Sequence, residues 1–154
     1  MSELKSILEF LAQISIPTKK ADLDNSNFLP GILIEKGVLL YDPEKLKYPG
    51  DLIHEAGHIA LMTPDERKII VGNVNEYRTP AQDDEMGVMA WSFAALRHLG
   101  LETKVVFHEG GYKGDSQMLI QEYESGQPIG LPLLVWMDLS DYETYPEMKK
   151  WVRE

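Results

Sequence analysis

His54, Glu55 and His58 stand together in the stretch DLIHEAGHIALM, residues 51 to 62. On a helix, residues four apart lie about 40° apart around the axis, so His54 and His58 project side by side and can grip one ion. Glu55 is turned about 100° from His54 and about 60° from His58. It flanks the ion and reaches a bound water without ligating. A metal-activated water needs this layout. Zinc brings the pKa of such a water toward ~7 and polarises a scissile carbonyl. The carboxylate takes the water's proton and later passes it to the leaving amine. In a chain of this composition H-E-x-x-H arises by chance with a probability on the order of 1%, so the spacing is a strong signal.

The plainer alternative is a surface helix that carries two histidines. The neighbours Leu52, Ile53, Ala56, Ile59, Ala60 and Leu61 weigh against it, because apolar residues surround the motif on nearly every side. Two buried imidazoles and a carboxylate would be costly without a shared partner. Gly57 costs the helix ~1 kcal/mol and lies just before the second histidine, where a small residue lets another element approach.

A catalytic zinc usually has three protein ligands and one open position. Acidic candidates cluster at Asp83, Asp84 and Glu85. Glu85 shares a helical face with Val88, Met89, Ser92 and Leu96, which is apolar apart from one serine, and it is the favoured third ligand. Asp84, on the face of Val88, Trp91 and Ala95, competes with it. Asp83 leads toward Ala90 and Arg97 and reads as exposed. First-turn acids also suit the helix dipole, which accounts for two of the three. His98 sits near a helix C-terminus, where a structural role suffices. His108 ends a strand-like run and precedes the glycine-rich EGGYKG, which carries Tyr112. A histidine or tyrosine donor there would stabilise the oxyanion of a tetrahedral intermediate. A purely structural histidine at a strand end fits equally well.

These residues need elements to position them. Leu4, Ile7, Leu8, Leu11 and Ile14 predict an amphipathic helix that Pro17 stops. TKKADLDNSNF reads as a loop. GILIEKGVLLYD reads as a hairpin around a Glu-Lys-Gly turn. Asp51 is a plausible N-cap for a helix through Met62, ended by Thr63 and Pro64. DERKIIVGNVNEYR stays open between a short helix and a loop. The next helix starts at Thr79-Pro80 and ends at Gly100, and is apolar almost all round from Met86 to Leu96. Thr103–His108 reads as a strand, and Asp115 as a cap for a helix over 116 to 124. The tail reads as irregular, with a last short helix at Pro146–Val152. Its aromatic residues, Trp136, Tyr142, Tyr145 and Trp151, are expected to pack it onto the domain.

The chain has 154 residues, the length of one domain able to bury a real core. Its 25 acidic and 15 basic residues give a net charge of −10, which argues against nucleic acid, since phosphate binding needs clustered Lys and Arg. It has no cysteine, so disulfides, thiolate nucleophiles and Cys-based zinc sites are excluded. Glu3, Lys5 and Glu9 break the apolar pattern of the N-terminus, which does not read as a signal peptide, and no run approaches the ~20 apolar residues that span a bilayer. A cytoplasmic location with no membrane partner follows by default.

HEAGH, a downstream Glu at the head of a helix and a preceding hairpin together resemble the zincins. Within them the chain resembles the gluzincin type, which takes its third ligand from a Glu on a second helix. GVLLYD, LIHEAGHI and AWSFAAL also resemble the compact bacterial ImmA/IrrE-type peptidases. The resemblance covers roughly residues 31 to 97. It implies an α+β fold: a compact zincin-like domain with an HExxH helix, a second buried helix and a small sheet, its metal core at about residues 31–110. It implies a zinc metallopeptidase holding one Zn²⁺ and acting on a peptide or protein. An extended peptide would add to the edge of the hairpin strand. The alternative is a non-catalytic zincin-like metal-binding module that regulates a protein partner. The presence of Glu55 argues against that alternative, because a structural metal site does not need it.

Overall fold

The computed structural model describes residues 2–23, 30–71, 85–110, 114–125 and 128–154. Helix α1, Glu3–Gln13, is capped by the Ser2 side chain, which accepts from the Lys5 amide at 3.2 Å. It buries Ile7, Phe10 and Leu11. It stops before Pro17, where Ser15 takes a left-handed φ of 67°. Thr18–Lys20 then forms strand β1 inside the segment expected to be a loop. Its side chains are polar and mostly exposed, so no apolar alternation marks it. Main-chain pairing alone makes it a strand. Residues 24–29 of the same segment lie outside the described residues.

The hairpin is present as β2, Ile32–Glu35, and β3, Val38–Tyr41. Lys36 and Gly37 both have positive φ, 50° and 82°, the pattern of a two-residue turn whose twist matches the strands. Glu35 belongs to the strand and pairs with Val38. β3 is central, antiparallel to β2 and parallel to β1. Ile32, Ile34 and Leu39 are buried on the sheet.

Helix α2, Gly50–Leu61, carries the HExxH residues. Pro49, in helical conformation and without a side-chain bond, occupies the cap position expected for Asp51, so Asp51 lies inside the first turn. Leu52, Ile53, Ala56, Ile59, Ala60 and Leu61 are inaccessible to solvent or nearly so. Thr63 then opens α3, Pro64–Ile69, through a reciprocal capping box with Glu66. Helix α4, Glu85–Leu99, is buried at every residue from Gly87 to Leu96. Gly100, at φ +70°, ends it as expected. The expected helix start at Thr79-Pro80 lies outside the described residues. α2 packs more extensively on α4 than on any other element. Gly57 is the reason they approach closely: a β-carbon there would stand 2.9 Å from Val88 Cγ1 and 3.1 Å from Trp91 Cε3.

Thr103–His108 is not a strand. Thr103–Val105 forms a 3-10 turn in which the Thr103 carbonyl accepts the Val106 and Phe107 amides. Val106 and Phe107 are buried, and the Thr103 hydroxyl bonds Glu124 at 2.9 Å. Tertiary position overrides β propensity here. α5, Ser116–Glu124, forms as expected, although Asp115 makes no side-chain cap. The tail contains an unexpected helix, α6, Leu131–Trp136. The helix expected at Pro146–Val152 does not form, because this segment's amides serve distant acceptors, Lys149 bonding the Leu139 carbonyl at 2.8 Å. Tyr145 and Trp151 pack inward as expected, with Tyr145 Oη donating to the Ala90 carbonyl at 2.6 Å and Trp91 Nε1 to the Trp151 carbonyl at 2.9 Å. Trp136 and Tyr142 lie on the surface. The architecture is thus α+β, helices packed with a three-stranded sheet. Among the described residues no helix is long and apolar enough to cross a membrane.

Candidate metal centre

α2 and α4 meet with their polar side chains face to face. Glu85, in the first turn of α4, places Oε1 3.0 Å from His54 Nε2 and Oε2 3.2 Å from His58 Nε2. One ligand atom from each of the three residues lies within 4.8 Å of the others. Tetrahedral coordination at about 2.1 Å sets ligand atoms about 3.4 Å apart, so this cluster needs only small side-chain shifts to hold an ion. The donor set of two imidazoles and one carboxylate suits zinc and other divalent metals. The imidazole planes are inclined at 74°, with centroids 5.1 Å apart.

Burial is graded across the cluster. The His58 side chain is 8% exposed and that of Glu85 37%, so solvent reaches the group from the Glu85 side. Burial alone would raise the Glu85 carboxyl. The hydrogen bonds from His54 and His58 outweigh it and hold the group well below the usual carboxylate range. Glu55 behaves oppositely. Burial pushes it up, and the charges of His58 and His54 only partly offset that, while Glu85 and Asp51 add to it. Two carboxylates in one site are thereby driven apart, one toward permanent charge and one toward proton exchange.

The sequence expectation of Glu85 beside His54 and His58 matches this geometry. Its competitor Asp84, along with Asp83, lies outside the described residues, as does Tyr112. His98 stands apart, its ring against Phe10 and Trp151 at centroid distances of 5.3 and 5.4 Å. His108 follows the 3-10 turn instead of ending a strand, and its Nε2 lies 2.7 Å from Asp51 Oδ1. It stacks on Tyr48 with centroids 3.8 Å apart. Sequence reasoning missed Asp51 as a site residue by reading it as a cap. The available signal was its spacing, since Asp51, His54, Glu55 and His58 recur at i, i+3, i+4 and i+7 and so line one stripe of α2. The Tyr123 ring is buried against Phe107, and burial, then the charges of Glu122 and Glu85, raise its phenol. No family model, curated protein or solved structure matches this chain.

Proposed function

We propose that the protein is a zinc-dependent metallopeptidase of zincin type, with His54, His58 and Glu85 holding one ion and Glu55 as general base. The observation that carries this reading is the convergence of Glu85 from α4 on both imidazoles of α2. A bound zinc would supply Lewis-acid polarisation of the substrate carbonyl and acidify the attacking water. The chain's own residues do the rest. Glu55, raised by burial, is suited to accept a proton from the water and return it to the leaving amine. Glu85 stays charged and balances the metal. His108, tied to the first turn of α2, is the group that would meet the developing oxyanion. The substrate on this reading is a peptide or protein.

The test compares wild type with Glu55→Gln for bound metal and for hydrolysis of casein or a peptide mixture. Stoichiometric zinc in both, with turnover reduced by about 10²-fold or more in the variant, is the expected outcome. Equal turnover removes Glu55 as base. Zinc in both without turnover in the wild type favours the regulatory metal-binding module instead. No zinc in the wild type overturns the metal centre itself.

A further inference from the structure

Asp51, His108 and Tyr48 form a cluster one turn before the metal ligands. Asp51 Oδ1 and His108 Nε2 are 2.7 Å apart, and their side chains are 16% and 11% exposed. The Tyr48 ring lies flat on the imidazole, inclined by 14°. Two features of the backbone bring His108 to this place. Gly50, the first residue of α2, receives the Val105 carbonyl so closely that a β-carbon would stand 1.9 Å from its oxygen. Gly110, two residues beyond His108, abuts the Tyr48 ring, where a β-carbon would stand at 2.6 Å. The segment from Val105 to Gly110 is therefore pressed against the start of α2. A hydrogen bond to one ring nitrogen fixes the in-plane rotation of an imidazole, and a stacked ring fixes its plane. With Nε2–H given to the Asp51 carboxylate, an anion is met by Nδ1–H of the doubly protonated ring, whose charge Asp51 balances.

We infer that Asp51 is a positioning residue, whose hydrogen bond to His108 sets the place of that imidazole relative to His54, His58 and Glu85 and thereby the grip of the centre on a tetrahedral anionic ligand. The inference rests on the proposed peptidase site and deepens it. Asp51 and the two histidine ligands ride on one helix, so the bond from Asp51 ties the His108 ring to the same frame that carries those histidines. Asp51 touches neither metal nor substrate. Its effect passes through His108.

The experiment uses zinc-loaded full-length protein and a blocked dialanyl phosphinate, whose tetrahedral anion mimics the addition intermediate. Its affinity is measured by calorimetry for wild type, Asp51→Ala, His108→Ala and the double variant, with zinc affinity measured in parallel. Asp51→Ala is expected to weaken the phosphinate by about tenfold while leaving zinc affinity within about twofold. Adding His108→Ala to it should cost little more, since coupled residues are non-additive. The ¹⁵N spectrum of the His108 ring gives a second readout. The Nε2–H resonance should be present in wild type and in Asp51→Asn, which keeps an acceptor of the same shape, and lost in Asp51→Ala. Where the alanine variant fails to fold, Asp51→Leu, of similar size and without an acceptor, takes its place in both measurements, with Asp51→Asn as the control that retains the bond. Additive effects, unchanged phosphinate affinity in Asp51→Ala, no binding of the phosphinate by zinc-loaded wild type, or an Nε2–H signal indifferent to Asp51 overturns the inference alone. A wild type that takes up no zinc overturns the peptidase reading with it.

Discussion

His54 and Glu85 are joined by a 3.0 Å contact between Nε2 and Oε1 that crosses from α2 to α4. The group of residues that could hold a metal ion therefore comes together only where these two helices pack. Glu85→Ala is expected to lower zinc affinity by roughly 100-fold or more, with the fold retained. A chelator competition titration measures it. Full zinc affinity in Glu85→Ala, with loss in Asp84→Ala, would transfer the third ligand to Asp84.

The approach of the helices is set at Gly57. Gly57→Val places methyl groups into Val88 and Trp91, and overpacking of this kind costs about 1–3 kcal/mol. It should also push Glu85 away from the two histidines. Thermal unfolding with and without zinc separates the two effects: the variant should melt lower and gain less from added zinc than wild type. An equal zinc-induced gain would show that the centre tolerates movement of α4.

The opposite shifts of Glu55 and Glu85 give the metal-free protein a two-sided pH dependence. Glu85 is depressed below the ordinary value of 4.5, so it contributes stability above that value which is lost as pH falls through and below it. Glu55 is raised above 4.5, so its contribution is fully present at low pH and is lost as pH rises through 4.5 toward its raised value. Glu55→Gln removes the second effect. Relative to wild type it should have a higher Tm at about pH 7, with the gap closing by about pH 4. A difference independent of pH would show that Glu55 does not titrate between those limits.

The last carbonyls of α2 are satisfied by distant residues. Arg67 donates to Ile59 at 3.0 Å and to Met62 at 2.8 Å, the Arg153 amide bonds Ala60 at 2.8 Å, and its guanidinium reaches Leu61 at 3.3 Å. Arg67→Ala should cost about 1–3 kcal/mol in urea unfolding, since it leaves half-buried carbonyls without their charged donor. Deleting residues 151–154 should add to that loss. A truncated protein as stable as wild type would show that the tail does not hold α2.

Much of the site was legible in the order of residues. The i, i+4 spacing of His54 and His58 puts both imidazoles on one face of a helix wherever that helix lies, and Glu55 follows at a defined angle. The apolar surroundings of Glu85 marked its face as inward. Gly57 marked a close approach. Local periodicity carries such information because it records which side of an element is buried and how side chains are spaced along it.

Tertiary structure decided the rest. β1 has no apolar alternation, and only β3 beside it makes it a strand. Thr103–His108 has the composition of a strand, yet its Val105 carbonyl packs against Gly50 at the start of α2 and Val106 and Phe107 are buried. Asp51 has the residue type and place of an N-cap, and its carboxylate goes instead to a histidine far along the chain. Each of these depends on which elements meet, and residue spacing within one element holds no record of its neighbours. The sequence by itself determined that α2 can offer two imidazoles and a carboxylate to one ion. Only the packing of α4 on α2 at Gly57 brought Glu85 to them, because a centre assembled across two helices depends on how closely their backbones approach.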